Sequence, residues 1–162
     1  NIDHDVFKNA RCLHQLKVLN LENCALRDGD LRSLADSPGI GELRSLDLHW
    51  NSVKPQGLAR LLEAEPRLLH TLNLSHNLLS TAAIEAIADC STLESLLSLD
   101  LSYNYLSSSS LQLLQETRHL PALQILNLNQ CAPNQDAVDL FASSALANRL
   151  AHWEIEVDTI PF

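Results

Sequence analysis

Apolar residues in this chain change their spacing within each short stretch and then change back. In "LHTLNLSHNLLSTAAIEAI", residues 69–87, leucines at 69, 72 and 74 lead to Asn77 and Leu79, and after Ser80 the apolar step lengthens. The x-L-x-L-x half turns two leucines to one face of a short strand and the residues between them to the other. The second half, with Ile84 and Ile87 three apart, has the spacing of a short helix.

The switch recurs along the chain. "LKVLNLENCAL" begins at Leu16, "LRSLDLHWNSV" at Leu43, "LLSLDLSYNYL" at Leu96 and "LQILNLNQCAP" at Leu123, so with Leu69 the steps are 27, 26, 27 and 27 residues. One more step of 27 reaches Leu150, where "LAHWEIEVDTI" keeps the apolar pattern in degenerate form. Each unit has a small polar residue at the turn out of the strand: Cys24, Asn51, Asn77, Asn104, Cys131 and Asp158. At that bend a buried polar side chain can satisfy backbone groups left unpaired. Helices are predicted over 30–36, 56–64, 81–89, 110–116 and 136–146. Asp30, Ser80 or Thr81, and Asp136 are the expected caps, Pro55 suits a helix start, and Pro66 and Pro121 suit the return to the next strand.

The pattern L-x-x-L-x-L-x-x-(N/C)-x-L resembles the leucine-rich repeat family over essentially the whole chain. The 26- to 27-residue period with a helix in each unit is similar to its ribonuclease-inhibitor-like subclass. The resemblance implies an α/β fold, a right-handed solenoid that forms a curved horseshoe segment. Parallel strands about 4.8 Å apart line the concave face, and helices needing roughly 8–10 Å line the convex one. Neither half of a unit buries its apolar face alone, so stacked neighbours complete one core. Residues 1–162 are expected to form one such domain. Residues 1–15 would be a preceding helix or N-terminal cap, with Phe7 and Leu13 on its apolar side. Residues 150–162, with Trp153, Ile155 and Ile160, would be a sixth repeat or C-terminal cap, in a short array or a piece of a larger protein.

The register sorts the outward positions into columns. They run Val18, Ser45, Thr71, Ser98, Ile125, His152; Asn20, Asp47, Asn73, Asp100, Asn127, Glu154; Glu22, His49, Ser75, Ser102, Asn129, Glu156; and Asn23, Trp50, His76, Tyr103, Gln130, Val157. These columns hold five acids and no lysine or arginine, and the net charge of the chain is −9. That balance speaks against nucleic acid, which requires a basic stripe, and favours a protein partner of basic character. No run of 18 apolar residues exists, so no membrane span is expected.

The chain has only seven Trp, Tyr and Phe residues, and Trp50 and Tyr103 fall with His76 in one column of three successive repeats. Exposed rings of this kind are interface anchors or covers for the turn beneath them. Tyr105 lies on the loop that follows. His49, His76 and His152 do not converge as zinc ligands, and no metal or other cofactor is expected. Ser75 or Ser102 with His49 or His76 and Asp47 or Asp100 would be the raw material of a nucleophilic site. A strand ribbon offers such a group little shelter from water, and no enzyme activity is expected. The cysteines at 12, 24, 90 and 131 are too far apart to pair. Mostly buried free thiols suit a reducing compartment, cytoplasm or nucleus. The sequon at 73–75 lies on a strand, and the serine run in "SYNYLSSSSLQ" reads as turn and cap residues.

The functional expectation is an interaction module, an adaptor or substrate-recruiting scaffold. Its anchors are Trp50, His76 and Tyr103, with His49 beside them, and Asp47, Asp100 and Glu22 steer a basic partner. The resemblance implies two alternatives: a sensor or autoinhibitory array of a larger nucleotide-binding receptor, or a regulator that inhibits or activates an enzyme.

Overall fold

The computed structural model describes residues 7, 11–131 and 133–156. Six three-residue strands form one parallel sheet in sequence order: β1 (Val18–Asn20), β2 (Ser45–Asp47), β3 (Thr71–Asn73), β4 (Ser98–Asp100), β5 (Ile125–Asn127) and β6 (His152–Glu154). Leu19, Leu46, Leu72, Leu99, Leu126 and Trp153 lie side by side across it. This is the register that the 27-residue period requires. A slip of one residue would turn every leucine to solvent.

Five α-helices pack in a row on the other side of the core: α1 (Asp28–Ala35), α2 (Pro55–Leu62), α3 (Thr81–Asp89), α4 (Ser108–Glu116) and α5 (Gln135–Ala142). A one-turn α6 (Ala145–Arg149) follows. Pro55 stands at the first turn of α2, where its missing N–H has no intrahelical partner to lose. Two expected caps are displaced. The cap of α1 is Arg27, whose N–H donates to Asp30 Oδ2 at 2.8 Å, so Asp30 reaches back from the first turn. The cap of α5 is Asn134, whose side chain accepts the Ala137 N–H, and Asp136 lies inside the helix. The helix expected over 136–146 is two helices, because the Ser144 side chain accepts the Ala147 N–H and starts α6.

Leucines of the second to fifth coils are sealed: Leu46, Leu72, Leu99 and Leu126 are each at most 1% exposed. The first coil is looser, with Leu16, Leu19 and Leu21 only half-buried against the core. Before it, Arg11–Gln15 is a 3-10 helix rather than an α-helix. Leu13 is buried, Phe7 packs partly against the core, and Gly39 approaches the Leu13 backbone too closely for any larger residue. At the other end Trp153 meets Phe141 edge-to-face at 5.5 Å, and Ile155 is half-buried beside it. Asp158 and Ile160 lie outside the described residues.

Candidate functional site

The turn after each strand is built by side chains. Asn20, Asp47, Asn73, Asp100 and Asn127 each accept, through one carboxyl or carboxamide oxygen, the N–H two residues ahead, at 2.8–3.1 Å. Asn51, Asn77 and Asn104 then stitch coil to coil. Asn77 Oδ1 accepts the Val53 N–H, and its Nδ2 donates to the carbonyls of Leu48, Leu74 and Ser75. Three of the six residues expected to relieve the bend, Asn51, Asn77 and Asn104, do so fully.

Between these two columns the backbone turns left-handed. Asn23, Trp50, His76, Tyr103 and Gln130 have φ of 52°, 55°, 50°, 54° and 56°. Asn adopts this region readily, whereas a bulky side chain does so at a cost of roughly 1–2 kcal/mol. Three successive coils nevertheless place rings there, and the rings stack. His76 and Tyr103 lie 3.9 Å apart at 13°, and Trp50 and His76 lie 5.7 Å apart at 27°. His49 meets Trp50 and His76 edge-on at 6.0 and 5.1 Å. Each aromatic pair returns about 0.5–1.5 kcal/mol, which offsets part of the strain. Trp50 is still 60% exposed and Tyr103 50%.

The structure therefore brings Trp50, His76, Tyr103 and His49 into one lip along the edge of the sheet. Glu22 lies beside His49 on the first coil, because the Asn23 N–H donates to the His49 carbonyl. The Glu22 carboxylate has no partner among the described residues. Asp47 and Asp100 are half-buried turn formers. Asp47 Oδ1 accepts the His49 N–H, and Asp100 Oδ2 accepts from Asn127 Nδ2 at 3.1 Å.

Beside the lip stand Tyr105, expected on the loop after the rings, and Leu78, which the periodicity leaves aside. Leu78 and Tyr105 follow the rings at the same offset and are both exposed, and the Tyr105 N–H donates to the Leu79 carbonyl. Their signal was the equal spacing 76–78 and 103–105. The entry ends of the first three strands carry Lys17, Arg44 and His70, linked carbonyl to N–H across the coils, opposite the acidic and aromatic exit edge. Lys17 pairs with Glu42 at 2.7 Å and holds that carboxyl below the usual carboxylate range.

Ser75 and Ser102, expected on the open surface, are buried. The Ser75 hydroxyl donates to Asn73 Oδ1 at 2.6 Å, and its oxygen faces His49 Nδ1 at 2.7 Å, so His49 is the donor there. A general base would have to accept that proton, and this polarity is the reverse. Ser102 is turned onto Asp100 of its own turn. Among the described residues no three His, Cys, Asp or Glu converge as a metal site, and no helix is long and apolar enough to cross a membrane. The expectation of mostly buried thiols needs correction. Cys131 is buried and Cys90 half-buried, but Cys24 is exposed. The Cys12 side chain lies outside the described residues.

No curated protein matches the chain. The Leucine Rich Repeat family model matches residues 68–90 and 95–116, the coils that carry His76 and Tyr103. Together with the six-stranded parallel sheet and the α-helix that follows each of its first five strands, those matches identify the fold as an α/β leucine-rich-repeat solenoid.

Proposed function

We propose that this chain is a protein-recognition module, an adaptor or substrate-recruiting scaffold and not an enzyme, which grips its partner through the concave sheet and the aromatic lip. Leucine-rich repeats are in general protein-binding elements, and a stiff curved ribbon presents its side chains on a fixed grid with little ordering cost. One observation carries the reading. Trp50, His76 and Tyr103 occupy backbone positions that bulky side chains disfavour, and two of the three rings remain at least half exposed. Side chains held in strained positions at a surface mark sites where contact with another molecule matters. Glu22, Asp47 and Asp100 give the same region a negative field, which favours a basic partner and disfavours nucleic acid. We also assign the chain to the ribonuclease-inhibitor-like subclass, on the 26- to 27-residue period and the helix in each coil.

The test is the double variant Trp50→Ala/Tyr103→Ala in affinity capture from a cell extract, read by mass spectrometry. Captured partners should fall to background while far-ultraviolet circular dichroism stays that of the unmodified chain. Undiminished capture by a folded double variant overturns the lip as the binding site.

A further inference from the structure

The lip is open at one end. Trp50 makes its ring contacts with His49 of its own coil and His76 of the next, and among the described residues no ring contacts it from the side of the first coil. There the equivalent residue is Asn23, exposed and with the same left-handed backbone. A carboxamide ends three bonds beyond Cα, and an indole reaches much further, so the outer part of the Trp50 face projects past its neighbour. The adjoining residue, Glu22, is exposed, and its carboxylate has no partner among the described residues. At the other end of the stack, Tyr103 is followed by Gln130, a longer side chain whose amide is drawn toward Glu156 at 3.4 Å.

We infer that the Trp50 face toward the first coil is a slot for an arginine side chain of the partner. This deepens, and rests on, the reading of the lip as a protein-binding surface. The chemistry selects the occupant. A planar guanidinium stacks flat on an indole and keeps its N–H groups in the ring plane, free to meet the Glu22 carboxylate in a forked pair. An ammonium has no plane to lay in a slot bounded by adjacent coils. A neutral planar group would lack the attraction both of the ring and of Glu22.

The probe is the capped pentapeptide Gly-Gly-Arg-Gly-Gly, with its lysine and citrulline counterparts, titrated against a Trp153→Phe chain in which Trp50 is the sole tryptophan. Should that chain fail to fold, the Trp50 indole N–H resonance of the unmodified protein gives the same readout. Saturable quenching by the arginine peptide is expected, with lysine about threefold weaker and citrulline not saturating. Glu22→Gln should weaken the arginine peptide by about threefold, a loss that salt reproduces in the unmodified chain. Asn23→Tyr should abolish binding by filling the slot with a fourth ring, leaving every anchor in place. Equal affinity for arginine and lysine, or unchanged affinity in Asn23→Tyr, overturns the slot. The two failures are distinct. If Trp50→Ala/Tyr103→Ala loses its partners while the arginine peptide never binds, the slot falls and the lip stands. If the peptide binds and capture is undiminished, the lip falls, and the Trp50 face binds guanidinium without serving the partner, so its assignment to a partner arginine falls with it.

Discussion

The middle coils and the end coils close the same turn by different means. In the second, third and fourth coils an asparagine does it. Asn104, for instance, accepts the Leu79 N–H and donates to the carbonyls of Leu74, Leu101 and Ser102. In the fifth coil Cys131 occupies the position. Its Sγ–H still reaches the Leu101 carbonyl at 3.1 Å, but among the described residues nothing accepts the Leu106 N–H as Asn77 and Asn104 accept those of Val53 and Leu79. In the first coil Cys24 is exposed. The rings follow the same division: Trp50, His76 and Tyr103 immediately precede the three asparagines, while Asn23 and Gln130 precede the two cysteines. A bulky residue at positive φ persists only where its surroundings over-determine the backbone. Around the three rings the asparagine turns supply that fixation, whereas Gln130 holds the same φ in a cysteine coil.

The comparison can be broken most forcefully in the core. Leu72→Ala, in a sealed middle coil, should cost about 3 kcal/mol, and Leu19→Ala, in the same sheet row but half-buried, about 1 kcal/mol. Denaturant titration of both measures the difference, and equal losses would mean that the first coil is as tightly packed as the third. Next is the turn itself. Asn77→Leu strands buried backbone groups and should destabilise by about 1–3 kcal/mol, and the lost near-ultraviolet signal of the His76–Tyr103 stack would report release of the ring. A melting temperature equal to that of the unmodified chain would refute the role given to the asparagine column.

The reverse change sharpens the contrast. Cys131→Asn should stabilise by about 1 kcal/mol by giving the Leu106 N–H its acceptor, and a loss of stability would show that the cysteine turn follows a different path. The smallest effect is chemical. Burial pushes the Cys131 thiol up to about 11 from 9.0. The folded state therefore favours the protonated thiol, and that contribution to stability is complete below about pH 9 and lost as pH rises through about 11. At pH 8 a thiol reagent should leave Cys131 unmodified in the folded chain. It should label exposed Cys24 quickly, a phase that Cys24→Ser removes.

Which of these features the sequence made legible follows from their range. Leucine spacing gave the strands, their order and their register, because a period of 27 leaves only one stacking that buries every leucine pair. Helix ends were read less well. Asp30 and Asp136 look like caps in isolation, but the cap falls where the chain leaves the turn, at Arg27 and Asn134. Ser75 and Ser102 read as surface because strand alternation faces them outward, yet each is drawn under the turn by the Asn or Asp two residues before it. Leu78 lies on a loop, which has no period to interpret, whereas Tyr105 is legible as a further ring on the loop after the column.

The sequence by itself determined the solenoid, the sheet, the asparagine positions and the single column holding Trp50, His76 and Tyr103. All of these are consequences of repetition. Folding in three dimensions is what turns this column left-handed, stacks its rings on one another, and ends the stack in an open face beside Glu22. Those features arise between side chains more than twenty residues apart, brought within a few ångströms by the coils, and no periodicity along one chain encodes that distance.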